Sequence, residues 1–253
     1  RHICKIKGHP GTLDAVCTPP HDIPNQPVAE FLPKGPGSEL LLDLMRRSEA
    51  VLREHPVNLT RQSRGELPAT TIWLFWGTGL IPDIPSFRQV YGLSGAMTSG
   101  VDLLRGLAQM VDMEILEIPG VTDGQDNDYT AQVVGALTAL DRHDLVVIHI
   151  ESPDEAGHSG SVEEKVWAIE RIDGDVLGKI RSWHGDKLRL LVMPDHPTPI
   201  EIRTHCPDPV PFLLWGPGFK ANGARRFTEA EAKKTGLFLD PGYNIMSKLT
   251  GKA

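Results

Sequence analysis

The chain has 253 residues, of which 40% are hydrophobic and 23% charged, and this balance is typical of a globular protein with one large domain or two small ones. Its formal net charge of −7 argues against nucleic acid or an anionic membrane surface as the main partner. No apolar run approaches the roughly 20 residues that span a membrane, and no signal-peptide pattern opens the sequence.

Residues 1–70 form one compositional unit, which we predict to be a domain of its own. It opens with RHICKIKGHP, without an initiating Met and already strand-like over His2–Ile6, so we expect a fragment of a longer protein. Loops rich in Pro and Gly follow, and they lead into a periodic helix predicted over Ser38–Glu54. Ser38 has the side chain of an N-cap, Glu39 lies in the first turn, and one helix face is apolar.

Residues 71–253 alternate between apolar strands and amphipathic helices, which predicts βαβ units. The predicted strands are TIWLFWG, MEILEIPG, LVVIHI, LRLLVM and VPFLLWGPG. The predicted helices are VDLLRGLAQMV, YTAQVVGALTALDRH and EEKVWAIERIDGDVLGKIRSWH. The sequence therefore predicts an α/β fold with a mostly parallel sheet and helices on both faces.

Five side chains of metal-ligand type follow the strands of the predicted sheet. Asp154 and His158 come in the loop after LVVIHI, Asp195 and His196 come directly after LRLLVM, and His205 precedes VPFLLWG. In open α/β sheets the functional groups lie outside the carboxyl ends of the strands, so we expect these five side chains to meet. A mixed Asp and His set suits Mn²⁺, Zn²⁺ or Mg²⁺, and five ligands favour a pair of ions that clamp a phosphoryl group.

Each of these side chains, taken alone, is more typical of a solvated loop acid or a surface histidine than of a metal ligand. Other chemistries have weaker support, because the sequence lacks GxSxG, GxxxxGK[ST] and HExxH motifs. Cys206 stands beside His205, but without a helix N-terminus nearby it is interpreted as a packing residue rather than a nucleophile. The three cysteines, without CxxC spacing, favour a reducing compartment, so we expect a cytoplasmic protein.

Four groups of motifs together resemble the archaeal-type branch of the cofactor-independent phosphoglycerate mutases, which belong to the alkaline-phosphatase superfamily. They are PDEAGHSG followed by KVWAIERIDGDV, MPDHPTP, RTHCPDPVPFLLWGPG, and the upstream set CTPPHDI, HPVN and IWLFWGTG. The resemblance covers nearly the whole chain. It implies interconversion of 3-phosphoglycerate and 2-phosphoglycerate through a phosphoserine enzyme, with two divalent metals and no bisphosphoglycerate cofactor.

The resemblance also implies roles for individual residues. Asp154, His158 and His205 would hold one metal, and Asp195 and His196 would hold the other, with Mn²⁺ expected and Zn²⁺ or Mg²⁺ as alternatives. Residues 1–70 would be part of the family's inserted substrate-binding domain, and residues 71–253 would be the C-terminal part of its metal-binding domain. The phosphoglycerate would be bound by Arg1, His2, His21, Asp22, Arg61 and Arg64, since arginine forks bind carboxylate and phosphate in bidentate fashion; the same arginines are equally typical of a solvated surface.

Two departures from the family pattern bear on activity. The family's Ser nucleophile lies in a segment before this chain begins, so no catalytic nucleophile is expected here and the chain alone is expected to be inactive. Gln132 stands where the pattern has a Lys, in TDGQDNDYTAQ, which removes a cation that would hold phosphate.

Three functions therefore stay open at the level of sequence. The first is a phosphoglycerate mutase acting in glycolysis or gluconeogenesis on a small-molecule substrate. The second is a phosphomonoesterase or another phosphotransferase on the same scaffold, because this fold accepts different substrates. The third is a non-catalytic metal-binding fragment, which the missing nucleophile motivates.

Overall fold

The computed structural model describes residues 2–23, 26–79, 82–183 and 187–251. The chain divides into two compact units, of which the first ends at Pro82 and the second begins at Asp83. The change in sequence pattern that predicts a boundary lies earlier, near residue 70.

The first unit is built from helices and short 3-10 turns. Its two α-helices are α1 (Ser38–Arg53) and α2 (Pro56–Ser63). Its 3-10 turns are Pro10–Asp14, Pro20–Asp22 and Val28–Phe31, and one antiparallel bridge joins Val16 to Lys34. Helix α1 confirms the predicted helix almost to the residue, and its apolar face buries Leu41 and Met45.

The cap of α1 differs from the predicted one. Gly37, with a φ of 78°, is the N-cap, and Ser38 is the first helical residue. The Ser38 hydroxyl donates to the Gly35 carbonyl at 2.7 Å, so it closes the turn before the helix. Glycine suits the left-handed backbone at position 37, which a side chain would disfavour.

Two predicted strands of the N-terminal half do not form. His2–Ile6 and the stretch TIWLFWG have no strand pairing in the described residues. In the second stretch the Ile72 amide donates to the Ser48 hydroxyl at 3.0 Å and Trp76 has a φ of 50°, so the backbone is bonded to α1 and then leaves the extended conformation. None of residues 71–77 is fully buried, and an apolar run of this length does not by itself distinguish a strand from other structure.

The second unit contains a three-stranded parallel sheet in the order β2-β1-β3. The strands are β1 (Gly95–Thr98), β2 (Glu114–Ile115) and β3 (Leu145–Ile148). Ala96 pairs with Glu114 on one side and with Val146 on the other. All three strands run in the same direction, so Thr98 and Ile148 both end at the carboxyl edge of the sheet.

Helices connect and cover these strands. Helix α3 (Phe87–Tyr91) precedes β1, α4 (Asp102–Met110) packs against β1 and β2, and α5 (Tyr129–Ala139) packs against β1 and β3. After β3 come α6 (Ser152–Ser159), α7 (Val162–Arg171), a π-helical stretch (Ile172–Leu177) and α8 (Gly178–Ser182). The predicted α/β fold with a parallel sheet and helices is confirmed.

The last two strands form a separate two-stranded sheet. Strands β4 (Leu190–Val192) and β5 (Leu213–Trp215) pair antiparallel, with Leu191 opposite Leu214. The sequence predicts a mostly parallel sheet and assigns no partner to VPFLLWGPG. The connection between β4 and β5 contains no helix in the structure, and a parallel pair needs a long crossover that usually includes one.

The short helices α9 (Glu229–Lys234) and α10 (Ile245–Thr250) complete the described chain. The main core cluster of the second unit joins α5 to the π-helical stretch and α8 through Tyr129, Val133, Val176 and Ile180. In the described part of the chain, none of the helices has the length and apolar character needed to cross a bilayer.

Candidate metal centre

Helix α6 presents Asp154 and His158 on one face. Pro153 occupies the first turn and Gly160, with a φ of 75°, ends the helix. A spacing of four residues places both side chains one above the other, and Asp154 Oδ2 lies 3.2 Å from His158 Nε2. The expectation that Asp154 and His158 lie in a loop was wrong, and the helix fixes them more tightly than a loop would.

His205 joins this pair from the loop before β5. Its Nε2 lies 3.1 Å from His158 Nε2 and 3.5 Å from Asp154 Oδ1. Asp154 is the least exposed member, with 19% of its side chain accessible, and His205 is the most exposed with 43%. The structure thus brings together three of the predicted ligands in one cluster, called the Asp154 cluster below (Asp154, His158, His205).

The protonation of His158 is fixed by its other nitrogen. Nδ1 lies 2.9 Å from the Arg203 carbonyl oxygen, which can only accept, so Nδ1 carries the proton. In the neutral ring Nε2 then presents a lone pair to a carboxylate oxygen and to the second imidazole. Either an N–H of His205 or a bound cation satisfies this lone pair, and a His whose other N–H donates to a carbonyl is the usual form of a metal ligand.

The distances in the Asp154 cluster fit a small divalent ion. Ligands at about 2.1 Å from a tetrahedral ion lie about 3.4 Å from each other. The Nε2 atoms of His158 and His205 are 3.1 Å apart, and Asp154 lies 3.2 Å from His158 through Oδ2 and 3.5 Å from His205 through Oδ1. Nitrogen and oxygen donors without a thiolate favour Zn²⁺, Mn²⁺ or Mg²⁺ over soft metals.

Asp195 and His196 form a second, looser pair after β4. Asp195 Oδ2 lies 3.4 Å from His196 Nε2, and Asp195 Oδ1 accepts the His196 backbone N–H at 3.0 Å. The Asp195 side chain is 69% exposed. The ring of His196 lies against that of His205 at a tilt of 37°, with centroids 3.9 Å apart, so the pair adjoins the Asp154 cluster.

Thr198 links the two groups of candidate ligands. Its hydroxyl donates to Asp154 Oδ1 and lies 3.4 Å from His196 Nδ1. The Thr198 carbonyl accepts from Lys165 Nζ at 2.6 Å, which ties the segment to α7. Our sequence analysis missed Thr198, although it stands within MPDHPTP between two of the prolines that stiffen this turn.

Helix α6 and the Thr198 segment approach each other at Gly157. A Cβ atom at position 157 would lie 2.6 Å from the Thr198 carbonyl oxygen. Only glycine allows that approach, and the approach places Thr198 within reach of Asp154. The convergence of the predicted ligands therefore depends on the packing of α6 against the loop that follows β4, rather than on one continuous sheet edge.

The first turn of α6 is strongly acidic. Burial and the neighbouring charges of Asp154 and Glu151 raise the pKa of the Glu155 carboxyl above its ordinary range. Carboxylate oxygens of Glu151, Asp154 and Glu155 lie within 4.8 Å of one another. This concentration of negative charge favours a bound cation.

Gln132 is part of the interior rather than a phosphate ligand. Its side chain is fully buried, donates to the His149 carbonyl at 2.9 Å and accepts from Asn127 Nδ2 at 2.9 Å. A lysine at this position would bury a charge, so the neutral amide suits its surroundings.

The candidate substrate ligands lie in the first unit and are not tested by its geometry. His21 and Asp22 lie 3.9 Å apart, and the His21 ring contacts Trp76 edge-on. Arg61 donates to the Leu67 carbonyl at 2.8 Å. His2 and Arg64 are exposed, and Arg1 lies outside the described residues.

Comparison with known proteins identifies the family of this chain. The sequence model of the metalloenzyme superfamily matches residues 10–250. The chain belongs to the metalloenzyme superfamily. Members of this superfamily bind divalent metals, which agrees with the donors of the Asp154 cluster.

Named relatives share much of the sequence. The chain is 46% identical over 241 residues to the 2,3-bisphosphoglycerate-independent phosphoglycerate mutase of Methanothrix thermoacetophila, covering 93% of this chain and 61% of that protein. It is 44% identical over 248 residues to the 2,3-bisphosphoglycerate-independent phosphoglycerate mutase 2 of Methanothermobacter thermautotrophicus, covering 97% and 61%. The chain thus spans about three fifths of the length of these curated relatives.

A solved structure supports the fold. The PH0037 protein from Pyrococcus horikoshii matches with a TM-score of 0.69 at 27% identity, over 85% of this chain and 57% of that one.

Proposed function

We propose that this chain is the metal-binding part of a cofactor-independent phosphoglycerate mutase, which interconverts 3-phosphoglycerate and 2-phosphoglycerate. The observation that carries the proposal is the convergence of Asp154, His158 and His205, with Asp195 and His196 beside them. The names of the relatives support the choice of substrate.

The ligands divide into two groups in this proposal. Asp154, His158 and His205 hold one divalent ion, and Asp195 and His196 hold the other, with Mn²⁺ as the expected metal. Two bound ions act as Lewis acids that stabilise charge on a transferring phosphoryl group. The structural support is the adjacency of the two groups through the rings of His196 and His205 and through Thr198.

The residues of this chain prepare the site for that chemistry. The Arg203 carbonyl holds the proton of His158 on Nδ1, so the lone pair of Nε2 stays available to bind a metal ion. The Thr198 hydroxyl donates to Asp154 and thereby orients one of its oxygens. Preorganised donors of this kind do not have to be rearranged when charge develops in the reaction.

The remaining parts of the proposal concern the whole protein. We assign the glycerate and phosphate contacts to Arg1, His2, His21, Asp22, Arg61 and Arg64 of the first unit. The serine that accepts the phosphoryl group is assigned to the part of the relatives that this chain does not match. A cytoplasmic location stays a prediction.

The test uses the natural gene product at its full length, loaded with Mn²⁺. It is expected to convert 3-phosphoglycerate to 2-phosphoglycerate in an enolase-coupled assay without added bisphosphoglycerate. The variant His158→Gln should lose at least about 100-fold in turnover, the upper end of what even outer-shell changes cost at metal sites. The matched control His143→Gln, an imidazole bonded to Glu114 away from the Asp154 cluster, should retain activity.

Two results would replace this function with another. Release of phosphate from an aryl phosphate, without mutase turnover, would assign the protein to the phosphomonoesterases. Absence of both activities together with retained Mn²⁺ binding would leave a non-catalytic metal-binding protein.

A further inference from the structure

Three side chains at the carboxyl edge of the parallel sheet form a chain of hydrogen bonds beside the Asp154 cluster. Ser99 follows β1, and His149 and Glu151 follow β3. The Ser99 hydroxyl oxygen lies 2.9 Å from His149 Nδ1, and His149 Nε2 lies 3.2 Å from Glu151 Oε2. We call this group the Ser99 relay (Ser99, His149, Glu151).

The contacts determine where the protons of the Ser99 relay lie. Glu151 as a carboxylate can only accept, so a neutral His149 carries its proton on Nε2. Nδ1 is then an acceptor and the Ser99 hydroxyl must donate to it. The Ser99 oxygen in turn accepts the Val101 backbone N–H at 3.0 Å. The hydrogen bonds therefore run in one direction, from β1 to Glu151.

A serine, a histidine and a carboxylate in a row are also the parts of a nucleophilic triad, but burial argues against that role here. Ser99 is 2% exposed and belongs to the largest fully buried side chains. A nucleophile must reach a substrate, and this hydroxyl is enclosed. The Ser99 relay therefore acts on its own surroundings.

Glu151 connects the Ser99 relay to the metal ligands. It is the N-cap residue of α6, and its carbonyl accepts from the amides of Asp154 at 2.8 Å and Glu155 at 3.2 Å. Its side chain makes no capping bond to the helix and reaches His149 instead. The position of Glu151 thus sets where α6 begins and where Asp154 and His158 point.

We infer that Ser99 and His149 are positioning residues of the metal centre, which act by fixing Glu151 and the first turn of α6. The inference rests on the proposed metal binding and extends it to residues that are not among the proposed metal or substrate ligands. Outer-shell groups that orient metal ligands typically contribute 10-fold to 100-fold to metal affinity.

A pair of matched serine variants tests the inference. Ser99→Ala should weaken Mn²⁺ binding by about 10-fold, measured by calorimetry on the natural full-length protein. Ser94→Ala is the control, because the Ser94 hydroxyl donates to Asp144 at 2.8 Å between the same two strands at their opposite ends. It should change Mn²⁺ affinity by less than about twofold, since it lies away from α6.

A second pair separates positioning from charge. Glu151→Gln removes the negative charge but keeps an oxygen that accepts from His149, whereas Glu151→Ala removes both. Both variants lose the electrostatic attraction for the ion. Glu151→Ala should nevertheless bind Mn²⁺ at least about threefold more weakly than Glu151→Gln, because only the alanine variant also loses the outer-shell hydrogen bond.

The protonation of His149 gives a readout that needs no metal. Nitrogen-15 NMR of the imidazole should show the Nε2–H tautomer in the wild-type protein and lose that single state in Ser99→Ala. An Nδ1–H tautomer in the wild-type protein would overturn the inference, because Ser99 would then accept from His149.

The two levels of the proposal fail differently. If the wild-type protein binds Mn²⁺ but Ser99→Ala and Ser94→Ala have equal affinities, the positioning role is overturned and the proposed function stands. If the wild-type protein binds no Mn²⁺, the proposed function and the positioning role both fall.

Discussion

The Asp154 cluster and the Asp195–His196 pair have the same side-chain chemistry, but they differ in how far neighbouring residues bury them and hydrogen-bond to them. Asp154 has 19% of its side chain exposed, receives the Thr198 hydroxyl and lies on a helix, whereas Asp195 is 69% exposed and contacts the residue next to it. His158 is bonded through Nδ1 to a carbonyl, whereas His196 has a weaker contact of 3.4 Å to Thr198.

This difference separates preorganisation from mere proximity. The chain itself holds the three donors of the Asp154 cluster at the spacing of a coordinated ion before any ion arrives. The Asp195–His196 pair has one carboxylate and one imidazole near the right place, and an ion would have to order them. We therefore expect the Asp154 cluster to bind a divalent ion first and more tightly.

The largest expected effect is that of Asp154→Asn. The amide keeps the shape of the side chain but loses the charge, so Mn²⁺ affinity of the Asp154 cluster should fall by at least about 100-fold, more than outer-shell changes cost. Calorimetric titration measures it. Asp126→Asn is the control, since Asp126 is exposed and accepts from Thr122 at 2.7 Å. Equal Mn²⁺ affinities of the two variants would contradict the assignment of Asp154 as a metal ligand.

Asp195→Asn should have a smaller effect on metal binding. It should reduce the stoichiometry from two ions to one, because Asp195 belongs to the second pair of proposed ligands and all three donors of the Asp154 cluster stay in place. Turnover of the full-length protein should nevertheless be abolished, since the second ion is absent. Metal analysis after dialysis measures the ion count. Loss of both ions would show that the Asp154 cluster is not self-sufficient.

Gly157→Ala tests the packing that brings the loop to α6. The new Cβ would lie 2.6 Å from the Thr198 carbonyl oxygen, so unfolding free energy should fall by about 1–3 kcal/mol and Mn²⁺ affinity should fall with it. Gly106→Ala in α4 is the control, because no atom lies within 4 Å of its Cβ position. It should stabilise the protein by up to about 1 kcal/mol. Chemical denaturation distinguishes the two, and a stabilised Gly157→Ala would contradict the packing argument.

The smallest expected effect is on the pH dependence of stability and comes from Glu114. Like Asp195 it is an exposed acid, but it is bonded to Arg142 and His143. Hydrogen bonds from Arg142 and His143 lower the pKa of Glu114 from 4.5 to about 2. A lowered folded-state pKa means that the stabilisation is complete above about pH 4.5 and is lost as the pH falls toward 2. The stability difference between wild type and Glu114→Gln should therefore be constant near neutral pH and shrink across that range in denaturation experiments. A difference that grows on acidification would contradict the pairing.

Much of the fold could be predicted because its helices have strong local patterns. Helix α1 was predicted within one residue of its end, and strand β3 lies within the apolar run LVVIHI. The stretch TIWLFWG shows the limit. Its composition predicts a strand, but Ile72 is bonded to Ser48, which is far away in sequence, and no local pattern contains that contact.

The candidate metal ligands could be predicted from the sequence, but the residues that hydrogen-bond to them and hold them in place could not. The rule that functional groups follow the carboxyl ends of strands selects Asp154 and Asp195, and His205 was found by its place in the loop between LRLLVM and VPFLLWG. The Arg203 carbonyl could not be found in this way, because any residue offers a carbonyl and its direction depends on the local backbone, which at Arg203 has a φ of 54°. Ser99, His149 and Glu151 also follow the carboxyl ends of strands. The same rule could therefore have selected them, but the sequence analysis did not apply it to them.

The single hydroxyl of Thr198 has a consequence for the order of events at this centre. It has one proton, which it donates to Asp154, and the same oxygen faces His196 Nδ1. An ion that reoriented Asp154 would change the hydrogen bond that Thr198 makes to it, and with it the contact between Thr198 and His196. An ion on His196 would have the reverse effect. If each group of ligands holds an ion, as proposed, we expect the two occupancies to be coupled through this oxygen atom, with the same coupling free energy whichever group fills first.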